Sequence, residues 1–176
     1  HGSLIRICGT LNMMHWLPKL SDVTGLQVNS PVSGAILPLS MHPDLLYNAN
    51  VLPQALAVKL EDGTLFSPFS CQFSSQLLAS RRLCFTHKSG LTVQLDLPTA
   101  ISQAPGCAVK QLVPSNTQVA PGKAVMKLDL QLLPGDSGHF AVLMVLPHPA
   151  ISAVFSAQRF VDAVKDTAIT IQINNR

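Results

Sequence analysis

The sequence is poor in charge and in aromatic side chains, and it lacks the long apolar runs of a membrane protein. Only 12% of its 176 residues are charged and 5% are aromatic, although 47% are hydrophobic. The longest apolar runs, such as FAVLMVL at 140–146, are far too short to cross a bilayer and are typical of strands buried on both faces. The composition therefore predicts a globular domain without a transmembrane segment.

The sequence also lacks a concentrated block of positive charge. Its net charge is +3 and its isoelectric point is near 8.8, but the lysines and arginines are scattered along the chain. A nucleic-acid interface needs clustered basic residues, usually with aromatic side chains between them. We therefore expect no nucleic acid among the partners.

Cysteine is scarce and unpaired in sequence. The four cysteines, at 8, 71, 84 and 107, form no C-x-x-C pair. This density is too low for a disulfide-stapled secreted domain, so a reduced, cytoplasmic protein is expected. The opening HGS looks like the remainder of an expression tag, and residues 1–24 are expected to form a poorly ordered extension before a single domain at 25–176.

Motifs for cofactor and metal chemistry are missing as well. No two of the six histidines stand at a ligand spacing such as H-x-H or H-x-x-x-H. There is no P-loop, dinucleotide fingerprint or G-x-S-x-G elbow. We expect neither a cofactor nor a metal ion.

What the sequence does contain is a series of short apolar segments between turns. Thirteen prolines and ten glycines punctuate it, and several segments alternate with the period of two that indicates strands. This pattern predicts an all-β, single-domain antiparallel sandwich or barrel. A helix is expected only around 152–165, with a helical turn near 131–133. The predicted strands are 26–29, 34–39, 55–60, 72–78, 82–87, 91–97, 108–113, 124–131, 140–146 and 168–174.

Several motifs in one register resemble the glucose-type enzyme IIA of the bacterial sugar phosphotransferase system. They are SPVSG, PLS followed by PD, ALAV, DGTLFSPF, SGLTVQLDL, VAPGKAVMKLDLQLL and the closing TAITIQI. The match runs from about residue 26 to the C-terminus and needs no gap between Pro31 and Leu133. The resemblance implies an antiparallel β-sandwich of the barrel-sandwich hybrid kind. It also implies two neighbouring histidines, one of which accepts phosphate from the phosphocarrier HPr and passes it to a IIB domain.

The relay residues implied by the resemblance are absent from this chain. The supporting histidine of the family falls on Arg81, the phosphorylated histidine on Asp96 and an assisting threonine on Ala79. A guanidinium stays protonated and cannot relay a phosphoryl group, whereas the imidazole nitrogen is nucleophilic near neutral pH. We therefore expect no catalytic residue here, so that the chain is a pseudoenzyme.

The same alignment leads to a structural hypothesis about the two substituted positions. If the fold is kept, Arg81 and Asp96 should face each other and form an ion pair. The alternative is that the two side chains point separately into solvent.

The resemblance also implies an apolar collar around the depression, through which partners bind. The predicted partner-binding residues are Leu45, Leu46, Tyr47, Val51, Leu52, Leu77, Arg81, Gln94 and Asp96. Exposed apolar patches of this kind mark interaction sites. The hypothesis is a non-catalytic regulatory or protein-binding module whose partners are an HPr-like phosphocarrier, a IIB domain, a permease or a sugar kinase. The alternatives are a divergent phosphocarrier that uses Asp96 or His87, and a domain of a larger permease kept for its structure.

Overall fold

The apolar segments form strands that pair into three sheets. The computed structural model describes residues 13–49, 54–77 and 81–174. The first seven strands described there are β1 (Met14–Trp16), β2 (Leu26–Asn29), β3 (Gly34–Pro38), β4 (Ala55–Leu60), β5 (Thr64–Phe66), β6 (Cys71–Gln76) and β7 (Arg82–Thr86). They are followed by β8 (Thr92–Asp96), β9 (Val109–Gln111), β10 (Thr117–Val119), β11 (Ala124–Leu128), β12 (Phe140–Val145), β13 (Ile151–Ser156), β14 (Phe160–Val161) and β15 (Thr167–Ile173).

Helical structure is confined to short connections. The helix α1 (Leu45–Asn48) forms a single turn between β3 and β4. Turns of 3₁₀ helix occupy Leu20–Asp22, Leu39–Met41, Thr99–Gln103, Gly106–Ala108 and Leu130–Leu132. Among the described residues, no helix has the length and apolar character needed to cross a membrane.

The largest sheet carries the hairpin that the sequence analysis singled out. Its eight strands follow the order β10-β6-β7-β8-β12-β4-β3-β14, and every neighbouring pair is antiparallel. A four-stranded sheet has the order β1-β13-β15-β2, with β1 parallel to β13, and a three-stranded sheet has the order β5-β11-β9. The prediction of an all-β fold rich in antiparallel sheet is confirmed.

The predicted helix at 152–165 is wrong. Residues Ile151–Ser156 form β13, which is paired on one side with β1 and on the other with β15. Pairing on both sides satisfies the backbone groups of this segment, and tertiary context of this kind overrides weak local propensity. The predicted turn near 131–133 corresponds to the 3₁₀ turn Leu130–Leu132.

The expectation of a poorly ordered extension is also wrong for residues 13–24. Met14 and Trp16 lie in β1, opposite Val154 and Ser156 of β13. Met14 is buried in the core, and Trp16 packs against it. Residues 1–12 lie outside the described residues.

The main core lies between the sheets and draws side chains from all three. The eight-stranded sheet contributes Phe73, Phe85 and Leu95, the four-stranded sheet contributes Ile171, and the three-stranded sheet contributes Met126. Each of these side chains is almost completely buried, and the rings of Phe73 and Phe85 lie 5.7 Å apart. One face of the large sheet is thereby covered.

The opposite face of the same sheet carries a second, smaller apolar cluster. Leu39, Ala55, Val142 and Met144 form it, and Tyr47 packs against it. The segment from the 3₁₀ turn Leu39–Met41 through α1 therefore covers this face, so that β8 and β12 are buried on both sides. This cover is why polar residues of β8 are found in a buried environment.

Candidate functional site

The site is built on the hairpin formed by β7 and β8. The hairpin closes with Thr86 opposite Thr92, and this register places Arg82 opposite Asp96 at its far end. Directly opposite residues of an antiparallel pair project from the same face of the sheet. Arg82 and Asp96 therefore share the face that is covered by α1.

Asp96 is the centre of the site because it is a carboxylate with almost no exposure to water. Its side chain is 4% exposed. Arg82 Nε donates to Asp96 Oδ1 at 3.0 Å, and the Tyr47 hydroxyl donates to Asp96 Oδ2 at 2.8 Å. Gln94 Nε2 donates to Oδ1 at 3.4 Å. A buried carboxylate requires such donors, and both of its oxygens are engaged here.

The predicted ion pair between Arg81 and Asp96 is wrong by one residue. Arg81 precedes β7, and its backbone has φ of 54°, outside the extended geometry of the strand. Its Nε donates to the carbonyl oxygen of Leu97 at 3.4 Å, while the amide of Leu97 donates to the carbonyl of Arg81 at 2.8 Å. Arg82 takes the ionic role that was predicted for its neighbour.

Tyr47 reaches Asp96 because α1 holds it over the sheet. Asp44 caps this helix by accepting from the amide of Leu46 at 2.9 Å, which is the usual role of an N-cap aspartate. Burial, followed by the hydrogen bond to Asp96 and the charge of Asp96, raises the pKa of Tyr47 to about 12. The Arg81 guanidinium acts on the same hydroxyl in the opposite direction.

His42 supports the phenol ring from behind. Its ring centroid lies 4.6 Å from that of Tyr47 and 5.4 Å from that of Phe140. His42 Nδ1 accepts from the amide of Asp44 at 2.9 Å, so the ring is neutral with its proton on the other nitrogen. Burial lowers the pKa of His42, and the charge of Asp44 opposes this shift.

Cys84 is the thiol nearest to the ion pair. It lies opposite Gln94 in the hairpin, on the same face as Arg82. Burial raises the pKa of the Cys84 thiol, and the charge of Arg82 opposes the rise. Because the thiolate is the nucleophilic form, this environment does not favour a reactive cysteine.

The predicted collar is partly exposed and partly buried. Leu45 and Leu46 are each 78% exposed, whereas Gln94 is buried beside Asp96. Leu77 is half-buried and packs against the main core. Val51, Leu52 and Ala79 lie outside the described residues.

Sequence reasoning missed three residues of this region, which are Met41, His42 and Arg82. Met41 is 59% exposed and adds an apolar side chain beside the leucines of α1. The register of the hairpin identifies Arg82, because pairing Thr86 with Thr92 across the turn sets residue 82 opposite residue 96. No sequence signal marks His42.

The arrangement around Asp96 consists of one carboxylate and its hydrogen-bond donors. Within the described residues, no group of three or more histidine, cysteine or acidic side chains could hold a metal ion. A cleft of about 500 Å³ lies away from the hairpin and is lined by Glu61, Lys110, Lys127 and Asp129 among others. The site on the hairpin is therefore a buried carboxylate, Asp96, whose charge is balanced by Arg82. It lies beneath an exposed apolar rim formed by Met41, Leu45 and Leu46.

Replacement of Arg82 tests which arginine compensates Asp96. We expect Arg82→Gln to lower the free energy of unfolding by about 1–3 kcal/mol, because it leaves a buried carboxylate without its cation. The value is below that of a fully buried pair since the Arg82 side chain is 38% exposed and solvent screens it. Arg81→Gln is the matched control, with an expected loss under about 1 kcal/mol. Urea unfolding of both variants decides, and a larger loss in Arg81→Gln would contradict the assignment.

Tyr47 reports directly on the site because the chain contains one tyrosine. Absorbance titration of the phenol should give a midpoint near 12 instead of the ordinary 10.0. Asp96→Asn should move the midpoint towards the ordinary value, because the negative charge beside the hydroxyl is removed. Because the pKa is raised on folding, Tyr47 contributes to the free energy of unfolding below pH 10, and this contribution is lost as the pH rises through the midpoint. Tryptophan fluorescence, recorded in parallel, separates titration from alkaline unfolding.

His42 should make stability depend on pH in the acidic range. Its folded-state pKa lies below 6.5, so the unfolded chain binds the proton more readily. Stability is then full above pH 6.5 and falls as the pH drops from that value through the folded-state pKa. His42→Asn keeps an acceptor for the Asp44 amide and removes the titration, so its unfolding free energy should fall less between pH 7 and pH 5. Equal slopes in both proteins would contradict this assignment.

Comparison with known proteins identifies the family of the chain. The family described as "phosphoenolpyruvate-dependent sugar phosphotransferase system, EIIA 1" matches residues 26–149. A PTS system glucoside-specific EIICBA component of Staphylococcus carnosus (strain TM300) is 23% identical over 109 residues. That alignment covers 62% of this chain and 16% of the relative.

A solved structure shows the same fold. The glucose permease IIA from Mycoplasma capricolum superimposes with a TM-score of 0.69 at 15% identity, covering 84% of this chain and 96% of that one. The M23 metalloprotease pseudoalterin gives a TM-score of 0.37, which is too low to bear on fold or function. Since the family match extends over more than half of the sequence, the chain belongs to the EIIA 1 family of the phosphoenolpyruvate-dependent sugar phosphotransferase system.

Proposed function

We propose that the chain is a non-catalytic, enzyme IIA-like module that binds proteins and regulates them without carrying phosphate. One observation carries this proposal: Asp96, at the position where the resemblance expects the phosphorylated histidine, is 3% exposed and has both oxygens engaged. A carboxylate in this state is shielded from solvent and already accepts hydrogen bonds at both oxygens, which makes it a poor nucleophile for an incoming phosphoryl group. Acyl-phosphate chemistry also calls for a metal or a set of cationic donors, and Arg82 is already bound to Asp96.

The partner-binding part of the proposal rests on the exposed rim. Met41, Leu45 and Leu46 stand in water at the edge of the site, and exposed apolar groups in one place favour an interface. The partner classes are an HPr-like phosphocarrier, a IIB domain, a permease or a sugar kinase. A reduced, cytoplasmic setting is part of the proposal, supported by the free thiols of Cys71, Cys84 and Cys107.

The second candidate is a divergent phosphocarrier that uses Asp96 or His87. The observation in favour of His87 is that its ring is only half-buried and that an imidazole can accept phosphate. However, His87 lies in the turn between β7 and β8, five residues and about 16 Å of strand from Arg82. Its Nδ1 also interacts with Ser89 Oγ at 2.8 Å. The rim at α1 therefore does not surround this histidine.

A phosphoryl-transfer assay distinguishes the two candidates. Incubation with enzyme I, HPr and labelled phosphoenolpyruvate should leave the protein unlabelled, because no nucleophile is available at the site. An active enzyme IIA serves as the positive control. Labelling that is lost in His87→Gln or in Asp96→Asn would instead establish the phosphocarrier and identify its residue. Acid and base lability of the label separates phosphohistidine from acyl phosphate.

The partner-binding part has its own measurement. Binding of purified unphosphorylated HPr, followed by calorimetry, should weaken at least tenfold in the Leu45→Asp, Leu46→Asp double variant, because two exposed apolar contacts become charges. Leu112→Asp is the matched control, since Leu112 is 41% exposed and lies beside the three-stranded sheet. Equal weakening in both variants would argue against the rim as the interface.

A further inference from the structure

Arg81 is held in an unfavourable backbone conformation next to the site. Its φ of 54° lies in the left-handed region, which costs a residue with a Cβ atom about 1–2 kcal/mol. Backbone strain of this kind persists where the surrounding structure enforces it, and it is frequent at binding sites. Here the two hydrogen bonds with Leu97 hold the residue in place.

The charge of Arg81 is not balanced within the site. Among the described residues, the ion pairs are Arg82 with Asp96 and Arg159 with Asp166, so Arg81 has no carboxylate within ion-pair distance there. Its side chain is half-buried, and its Nε donates a hydrogen bond to the carbonyl oxygen of Leu97. The guanidinium also approaches the Tyr47 hydroxyl, where its charge and hydrogen bonding oppose the rise in the pKa of that phenol.

The surroundings of this guanidinium define a composite surface. The Tyr47 hydroxyl donates a hydrogen bond to Asp96, and the Arg81 guanidinium opposes the rise in the pKa of that hydroxyl. Tyr47 belongs to the same short helix, α1, as Leu45 and Leu46. An unbalanced cation thus lies beside an apolar rim. Such a combination favours a ligand that carries one negative charge within an apolar setting.

We infer that Arg81 is a docking residue for the carboxylate of an aspartate or glutamate that a partner protein presents between apolar side chains. This inference rests on the proposed function, and it names the chemistry of the partner. A hydrogen bond from a guanidinium to a carboxylate is charge-assisted and stronger than one between neutral groups. The single positive charge matches a monoanion.

A phosphorylated side chain fits this surface less well. A phosphoryl group carries close to two negative charges at neutral pH. Its second charge would stand near Asp96, whose own charge is already balanced by Arg82. The Tyr47 hydroxyl is not available as a further donor because it is bonded to Asp96. Charge matching therefore selects the carboxylate.

Three capped tripeptides serve as probes: acetyl-Leu-Glu-Leu-amide, acetyl-Leu-Gln-Leu-amide and acetyl-Leu-phosphoserine-Leu-amide. Binding is followed by NMR through the backbone amide of Leu97 and the ring of Tyr47, which report on the site in every variant. We expect saturable shifts in which the Glu peptide binds at least tenfold more tightly than the Gln peptide. Arg81→Gln should abolish this preference. Arg159→Gln is the control, because Arg159 is an arginine paired elsewhere, with Asp166.

Several outcomes would overturn the inference. They are the absence of saturable binding, a preference for Glu that persists in Arg81→Gln, and tighter binding of the phosphoserine peptide at equal ionic strength. These failures are distinguishable from failure of the proposed function, which is measured by HPr binding and by phosphate labelling. If the peptides show no charge preference while the Leu45→Asp, Leu46→Asp variant still loses HPr, the docking residue is refuted and the module stands.

Discussion

The outer face of the large sheet is organised by the need to satisfy one buried carboxylate. Asp96 lies in a strand covered on both sides, so its charge cannot be hydrated and must be balanced by neighbours. A cross-strand arginine, a phenol from a separate helix and a neighbouring amide meet this need. The pairing of Arg82 across the hairpin and the position of the Tyr47 phenol over the sheet both meet that single requirement.

The segment that supplies Tyr47 to the buried carboxylate also forms the exposed surface of the site. The segment from Leu39 to Asn48 packs on the sheet through Leu39 and Tyr47 while it leaves two leucines in water. The ion pair beneath it adds little net stability compared with a well-packed apolar pair, but it fixes the arrangement of the groups around it. The leucines thus form an exposed apolar surface above a carboxylate whose two oxygens both accept hydrogen bonds.

Much of the fold could be predicted from alternation and turn residues, because those signals are local. β2 and β4 have the predicted bounds, and most other predicted strands differ by no more than two residues at either end. β5, β10 and β14 have only two or three residues each, too few for a period of two to be recognised. β13 was mistaken for a helix because its pairing with β1 and β15 is a long-range property. The predicted ion pair is wrong by one residue because aligning motifs shows only which positions correspond between two sequences. Which side chains meet across a hairpin depends on the register of its strands.

The tie between residues 82 and 96 constrains how this site can change. Replacing Asp96 alone, for example with histidine, would leave the Arg82 guanidinium without its only ionic partner among the described residues. Replacing Arg82 alone would leave the buried Asp96 carboxylate without a compensating positive charge. The two positions are therefore coupled, and a change at one of them keeps the site stable only when the other changes with it.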